Sequence, residues 1–233
     1  MKIFQKGFNF SQDGPGNRLV FHLQGCNMRC PWCSNPEGMA AIGGNDYSVA
    51  EILRECERSR AMFFSGGGVT FTGGEATLQF SELKEVLEGL KAKGIHTAIE
   101  TNATCKNLPE LSPFIDFFIM DFKHFDGEIL KKVTGADLDL IKANFGVLVS
   151  LRKQLLVRIP LINRFNADSA EGFVRFFSEF DTSGVVFEFL PYHEYGKDKW
   201  KSPYKVENGF ISKAQLEKFK TEFKKFNLKV IST

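Results

Sequence analysis

The feature that most constrains this chain is the regular alternation of short apolar runs with longer amphipathic stretches. Runs near Leu19 to Leu23, Val69 to Thr72, His96 to Glu100, Phe117 to Asp121, Leu155 to Leu161 and Val185 to Leu190 have the length and side-chain content of strands. Between them the period lengthens. Ser48-Val-Ala-Glu51 is a capping box ahead of Ile52, Leu53 and Cys56, and Ser81 precedes Leu83, Val86, Leu87 and Leu90. Further helices are expected over residues 126–133, 139–151, 170–180 and 212–226, so the order reads as βα six times. Such alternation specifies an α/β fold with a parallel sheet and outer helices. The apolar run Leu228 to Ile231 reads as one more strand at the edge, and with no linker, repeat or shift in composition, residues 1–233 read as one domain.

Composition removes several classes of function. With 233 residues, 43% hydrophobic and 25% charged, the chain has the make-up of a globular protein with a sizeable core, which its 25 phenylalanines make aromatic-rich. A net charge of only +2, with signs interspersed, calls for neither nucleic acid nor an anionic membrane. No apolar run approaches the roughly 18 residues of a membrane span, and MKIFQKGFNF lacks the features of a signal peptide, so a cytoplasmic protein is expected. Five cysteines, an odd and clustered set, fit reduced thiols better than a disulfide framework.

The unusual residues all follow a strand. Cys26, Cys30 and Cys33 come after the first, Gly73-Gly74-Glu75 after the second, Glu100-Thr101-Asn102 after the third, Asp121-Phe-Lys123 after the fourth and Pro191-Tyr-His193-Glu after the sixth. The C-terminal ends of parallel strands share one face, so these motifs are expected to converge on one pocket. The spacing Cys-x-x-x-Cys-x-x-Cys leaves three readings open. Structural zinc wants a closed set of four ligands, for which His22 is the nearest fourth, and a catalytic zinc would take three ligands and a water. An iron-sulfur cluster on three cysteines would keep one iron free for a substrate or cofactor. Cys56 belongs to a helix face and Cys105 is a lone loop cysteine.

Asp13-Gly-Pro-Gly16-Asn-Arg18 followed by Gly25-Cys26-x-x-x-Cys30-x-x-Cys33-x-Asn35-Pro36 resembles the signature of radical S-adenosylmethionine enzymes that activate glycyl radical enzymes. The resemblance continues through Gly66 to Ala76, Glu100-Thr-Asn102, Asp121-Phe-Lys123 and Leu190-Pro-Tyr-His193-Glu-x-Gly196-Lys-x-Lys-Trp200, and is nearest to the pyruvate formate-lyase-activating branch. It implies an incomplete (β/α)6 radical SAM barrel with Cys26, Cys30 and Cys33 holding a 4Fe-4S cluster whose fourth iron takes the amino and carboxylate groups of S-adenosylmethionine. It further implies that Trp32, Ser34, Gly73, Gly74, Glu75, Asp121, Lys123 and His193 line the S-adenosylmethionine site, Trp32 near the adenine and Glu75 accepting from the methionine ammonium. Gly74 is expected to let the backbone approach the ligand. Glu100 and Thr101 stand where the family's Asp-Thr-Asn-Gly segment helps to bind a monovalent cation, which makes such a cation a further candidate. Arg158 reads as a structural ion pair beneath or beside the pocket. The family reading makes the partner a glycyl radical enzyme whose glycine loses a Cα hydrogen, with reduced flavodoxin or ferredoxin as electron donor and a monomeric activator.

Departures from the pattern are local. His22 stands where the signature commonly has Phe, and Ser34 where the nearest branch has His. From Ser34 to Thr72 only Cys56 occurs, so no ferredoxin-like insert is expected and one cluster suffices. Two alternatives remain at this stage: a radical S-adenosylmethionine enzyme acting on a small molecule, such as 7-carboxy-7-deazaguanine synthase, and a metal-binding protein without catalysis.

Overall fold

In the computed structural model, which describes residues 1–9 and 12–231, the strands form one sheet. The expected strands are present as β2 (Arg18–Leu23), β4 (Gly68–Gly73), β5 (Thr97–Thr101), β6 (Phe117–Asp121), β7 (Gln154–Leu161) and β8 (Val185–Pro191), and each pairs in parallel with the next. The edge run is β9 (Lys229–Val230), parallel to β8. Two strands were not expected: β1 (Lys2–Asn9), antiparallel to β2, and β3 (Asn45–Asp46), antiparallel to β1.

The spatial order is β3-β1-β2-β4-β5-β6-β7-β8-β9. Each successive parallel strand adds on the same side, so right-handed crossovers place the helices on one face and the sheet curls around the other. Its two ends, β3 and β9, do not pair, and the barrel stays open. The helices are α1 (Val49–Arg58), α2 (Phe80–Ala92), α3 (Leu108–Leu111), α4 (Gly127–Thr134), α5 (Leu138–Ser150), α6 (Ala170–Phe177) and α7 (Lys213–Lys225). The strict sixfold βα order needs one correction. The crossover from β5 to β6 holds only the four-residue α3 and a short 3-10 turn, while α4 and α5 both lie between β6 and β7.

Local chemistry explains the boundaries. Ser48 caps α1 in a reciprocal box with Glu51, and Ser212 does the same for α7 with Gln215. Ser81 is not the cap of α2, which begins at Phe80 directly after a 3-10 turn whose cap is Glu75.

Side chains alternate along the strands, as the pleat requires. Leu19, Phe21 and Leu23, Val69 and Phe71, Phe118 and Met120, Val157 and Ile159, and Phe187 and Phe189 join the apolar core beneath the helices. There Phe177 packs with Phe122, Phe145, Phe176, Phe187 and Phe223, ring centroids 4.7–6.2 Å apart. The other face mixes apolar side chains such as Val20, Ala98 and Ile119 with buried polar ones. Arg18, fully buried, donates to Thr70 Oγ1 at 2.6 Å and to the Val69 carbonyl at 2.7 Å, and one layer higher Thr72, Glu100, Arg158 and Glu188 bond to one another. The barrel interior is therefore a hydrogen-bonded floor under whatever occupies its mouth.

Candidate functional site

Leu23 ends β2, and the chain turns at Gly25 into the cysteine loop at the C-terminal rim of the barrel. Cys26, Cys30 and Cys33 all line one cavity there, together with Trp32 and Ser34 of the same loop. From the ends of the following strands come Thr72, Gly73, Gly74 and Glu75, then Glu100, Thr101 and Asn102, then Asp121 and Lys123, and finally Tyr192 and His193. Every residue singled out from sequence for this site reaches the same cavity, from five different strand ends. Cys56 is buried on the inner face of α1, and Cys105, half-buried, does not line the cavity.

The loop is held by its neighbours. The Gln24 side-chain amide donates to the carbonyls of Glu37 and Ala40, and Gly25 N–H donates to Gly38 O at 2.8 Å. Glu75 N–H donates to Gly25 O at 2.7 Å. Gly73, at φ +120°, turns the chain out of β4, and a Cβ on Gly74 would lie 2.0 Å from Gly25 O and 2.6 Å from Gly38 O. The close approach that Gly74 permits is to the backbone of the cysteine loop, and the residue also lines the cavity.

Burial pushes the thiols up, Cys30 to about 12 and Cys33 to about 11, with Cys26 raised as well. Met28 N–H points at Cys26 Sγ at 3.4 Å. Lys123, 9% exposed, acts against the rise of all three thiols, and its Nζ is 3.0 Å from Asp121 Oδ2. Burial alone would lower its pKa, but Asp121 and the adjoining Cys30 and Cys26 outweigh that and hold it above the ordinary lysine value.

Glu75 is 1% exposed and lines the cavity. Its Oε1 accepts from Thr101 Oγ1 at 2.7 Å, Thr77 Oγ1 at 2.5 Å and Thr77 N–H at 3.1 Å, and its Oε2 accepts from Asn102 N–H at 2.7 Å. Burial raises the carboxyl pKa against the pull of these donors. Glu100 accepts from Thr72 Oγ1 at 2.7 Å on one oxygen and pairs with Arg158 Nη1 at 2.8 Å on the other. Arg158 also holds Glu188 at 2.7 Å, so it is the structural ion pair expected from sequence. Trp32 is half-buried, lines the cavity and packs its ring 4.6 Å from that of Phe165. His193 stacks on Tyr195 at 4.3 Å.

The donor set is compatible with an iron-sulfur cluster held by three cysteines. Three thiols and no other cysteine border the cavity. Among the described residues no three His, Cys, Asp or Glu side chains gather tightly enough to hold one metal ion. A cluster spreads its thiolates around a larger body. At the candidate cation position the Glu100 carboxylate is paired with Arg158, and the Thr101 hydroxyl donates to Glu75 while accepting from Ala103 N–H. Sequence reasoning gave no role to Thr72 or Tyr192, although each directly adjoins a motif residue.

The radical SAM superfamily model matches residues 20–177. A pyruvate formate-lyase-activating enzyme of Staphylococcus epidermidis is 34% identical over 84% of this chain and 84% of its own. A choline trimethylamine-lyase activating enzyme of Oleidesulfovibrio alaskensis is 27% identical over 94% of this chain and 93% of its own. Among solved structures, Streptococcus suis SuiB bound to S-adenosylmethionine superposes with a TM-score of 0.69 at 15% identity, covering 92% of this chain and 49% of that one, a likeness of fold. Among the described residues no helix is long and apolar enough to cross a membrane. The chain belongs to the radical SAM superfamily and, within it, to the oxidoreductases that activate glycyl radical enzymes.

Proposed function

We propose that this protein uses a 4Fe-4S cluster held by Cys26, Cys30 and Cys33 to cleave S-adenosylmethionine and to remove a Cα hydrogen from a glycine of a partner glycyl radical enzyme. The observation that carries the reading is the convergence of three thiols, Glu75, Asp121, Lys123 and His193 on one cavity at the mouth of an open barrel. Held by Cys26, Cys30 and Cys33, a reduced cluster would supply the one electron for cleaving the sulfonium to methionine and a 5'-deoxyadenosyl radical, which would take the glycine hydrogen.

The residues of this chain divide the remaining work. Glu75 and Asp121 offer carboxylate oxygens to the ammonium of the methionine moiety, and Lys123 offers an ammonium to its carboxylate. Trp32 and His193 present ring faces and an imidazole to the adenosine. Gly73 and Gly74 keep the floor of the cysteine loop close under the ligand. The open edge of the barrel admits the glycine-bearing loop of the partner, and the surrounding walls keep water and other hydrogen donors from the radical.

The default partner is a pyruvate formate-lyase, by the 34% identity over most of the chain; a choline-lyase-type partner is the second choice. A single domain with one cluster, a monomeric state, a cytoplasmic setting and reduction by flavodoxin or ferredoxin complete the proposal. Its test is anaerobic: reconstituted, dithionite-reduced protein is mixed with S-adenosylmethionine, and 5'-deoxyadenosine is quantified. Formation that is lost in Cys30→Ala supports the reading; none from a protein with an intact, reducible cluster sinks it.

A further inference from the structure

The segment after β8 carries a motif, Gly196-Lys-Asp-Lys-Trp200, whose chemistry the proposed reaction leaves unassigned. It leaves the cavity wall at Tyr192, whose N–H donates to Leu161 O at 3.0 Å, and makes a 3-10 turn over Lys197–Lys199. Three of its residues then seat on the cysteine loop. Trp200 Nε1–H donates to the Cys33 carbonyl at 3.1 Å across 167 positions of sequence. Lys199 Nζ reaches Asn35 Oδ1 and Glu37 Oε1, each at 3.1 Å. A Cβ on Gly196 would lie 2.5 Å from both Cα and O of Ser34.

The Gly196 contact is informative because its backbone, φ −94° and ψ −1°, suits any residue, so the shortage of space against Ser34 is what excludes a side chain. The segment is itself anchored. Trp200 packs edge-on against Tyr204 at 5.7 Å, and the Tyr204 and Tyr192 hydroxyls lie 2.9 Å apart, which ties the indole back to the cavity wall.

We propose that Gly196–Trp200 is a strap that holds the outer half of the cysteine loop in shape before any cluster arrives, with Trp200 the positioning residue for Cys33. Loop residues 30–35 contain no helix or strand of their own. Fixing such residues costs conformational entropy, and the strap meets part of that cost during folding, so that the ligand set is preorganised. The inference rests on the reading of Cys33 as a cluster ligand, but its test does not need the cluster.

The test compares cluster-free, full-length wild type with Trp200→Phe, which keeps the ring against Tyr204 and removes the N–H, and with Gly196→Ala. Alkylation by iodoacetamide is followed peptide by peptide, with buried Cys56 as the internal reference. One lost neutral hydrogen bond corresponds to about a two- to tenfold change. Cys33 in Trp200→Phe is expected to react about two to ten times faster with Cys56 unchanged, and Gly196→Ala to act in the same direction. The reconstituted Trp200→Phe protein should lose its cluster to a chelator faster by a similar factor. Wild-type Cys33 reactivity in both variants overturns the proposal, and so does a parallel rise at Cys33 and Cys56, which would be general loosening. Failure of S-adenosylmethionine cleavage would count against the catalytic reading and leave this comparison standing.

Discussion

Arg158 on β7 bridges Glu100 on β5 and Glu188 on β8, with Nη1 2.8 Å from one carboxylate and Nε 2.7 Å from the other. All three side chains lie inside the barrel, with Glu100 lining the cavity, and the guanidinium also donates to the Gln12 carbonyl. The bridge sets the charge of the floor: two acids, one fixed cation.

Removing that cation leaves two carboxylates facing each other with little water. Arg158→Met is expected to destabilise the fold by about 3–5 kcal/mol, the cost of breaking a buried pair at one partner, as read from chemical denaturation of the cluster-free protein. A loss under about 1 kcal/mol would mean that the carboxylates are well hydrated.

The same bridge bears on monovalent cations. Because Glu100 is already neutralised, replacing sodium and potassium by choline at constant ionic strength is expected to change 5'-deoxyadenosine formation less than twofold. A steep dependence would show that Glu100 releases Arg158 when ligand binds.

Glu75 accepts four hydrogen bonds in a buried site, and an amide in its place turns one oxygen into a donor facing other donors. Glu75→Gln is expected to cost about 1–3 kcal/mol of stability and to weaken S-adenosylmethionine binding at least tenfold, measured by denaturation and calorimetry. Unchanged affinity would remove Glu75 from the ligand's surroundings and leave it a structural anchor of the Thr101-Asn102 turn.

Under the helices, Phe177 touches five other phenylalanines. Phe177→Ala is expected to cost about 3–5 kcal/mol through lost contacts and an unfilled cavity. Thermal unfolding of the variant checks it.

What was legible in the sequence followed from local period and spacing. The six parallel strands could be read because each buries apolar side chains, and the cavity residues because they sit in the last positions of those strands or in the loops that follow them. β1 escaped because most of its residues are exposed or half-buried, which erases the alternation, and α3 because four residues make barely one turn. Three further features join residues far apart in the chain, and no local pattern could announce them. Gly74 meets the carbonyls of Gly25 and Gly38, Arg158 binds acids from two other strands, and Trp200 reaches Cys33 from the far end of the fold. The Gly196 to Trp200 motif stood out in the sequence, yet its purpose depends on which loop the folded chain lays beneath it.

The central claim is that the hydrogen taken by the 5'-deoxyadenosyl group comes from a glycine Cα of a partner. The most direct measurement supplies the reduced, reconstituted protein with S-adenosylmethionine and a pyruvate formate-lyase deuterated at glycine Cα, then records the mass of the 5'-deoxyadenosine and the radical signal by electron paramagnetic resonance. The account predicts 5'-deoxyadenosine carrying one deuterium, together with a glycyl radical on the partner. Unlabelled 5'-deoxyadenosine with no radical on the partner would contradict it.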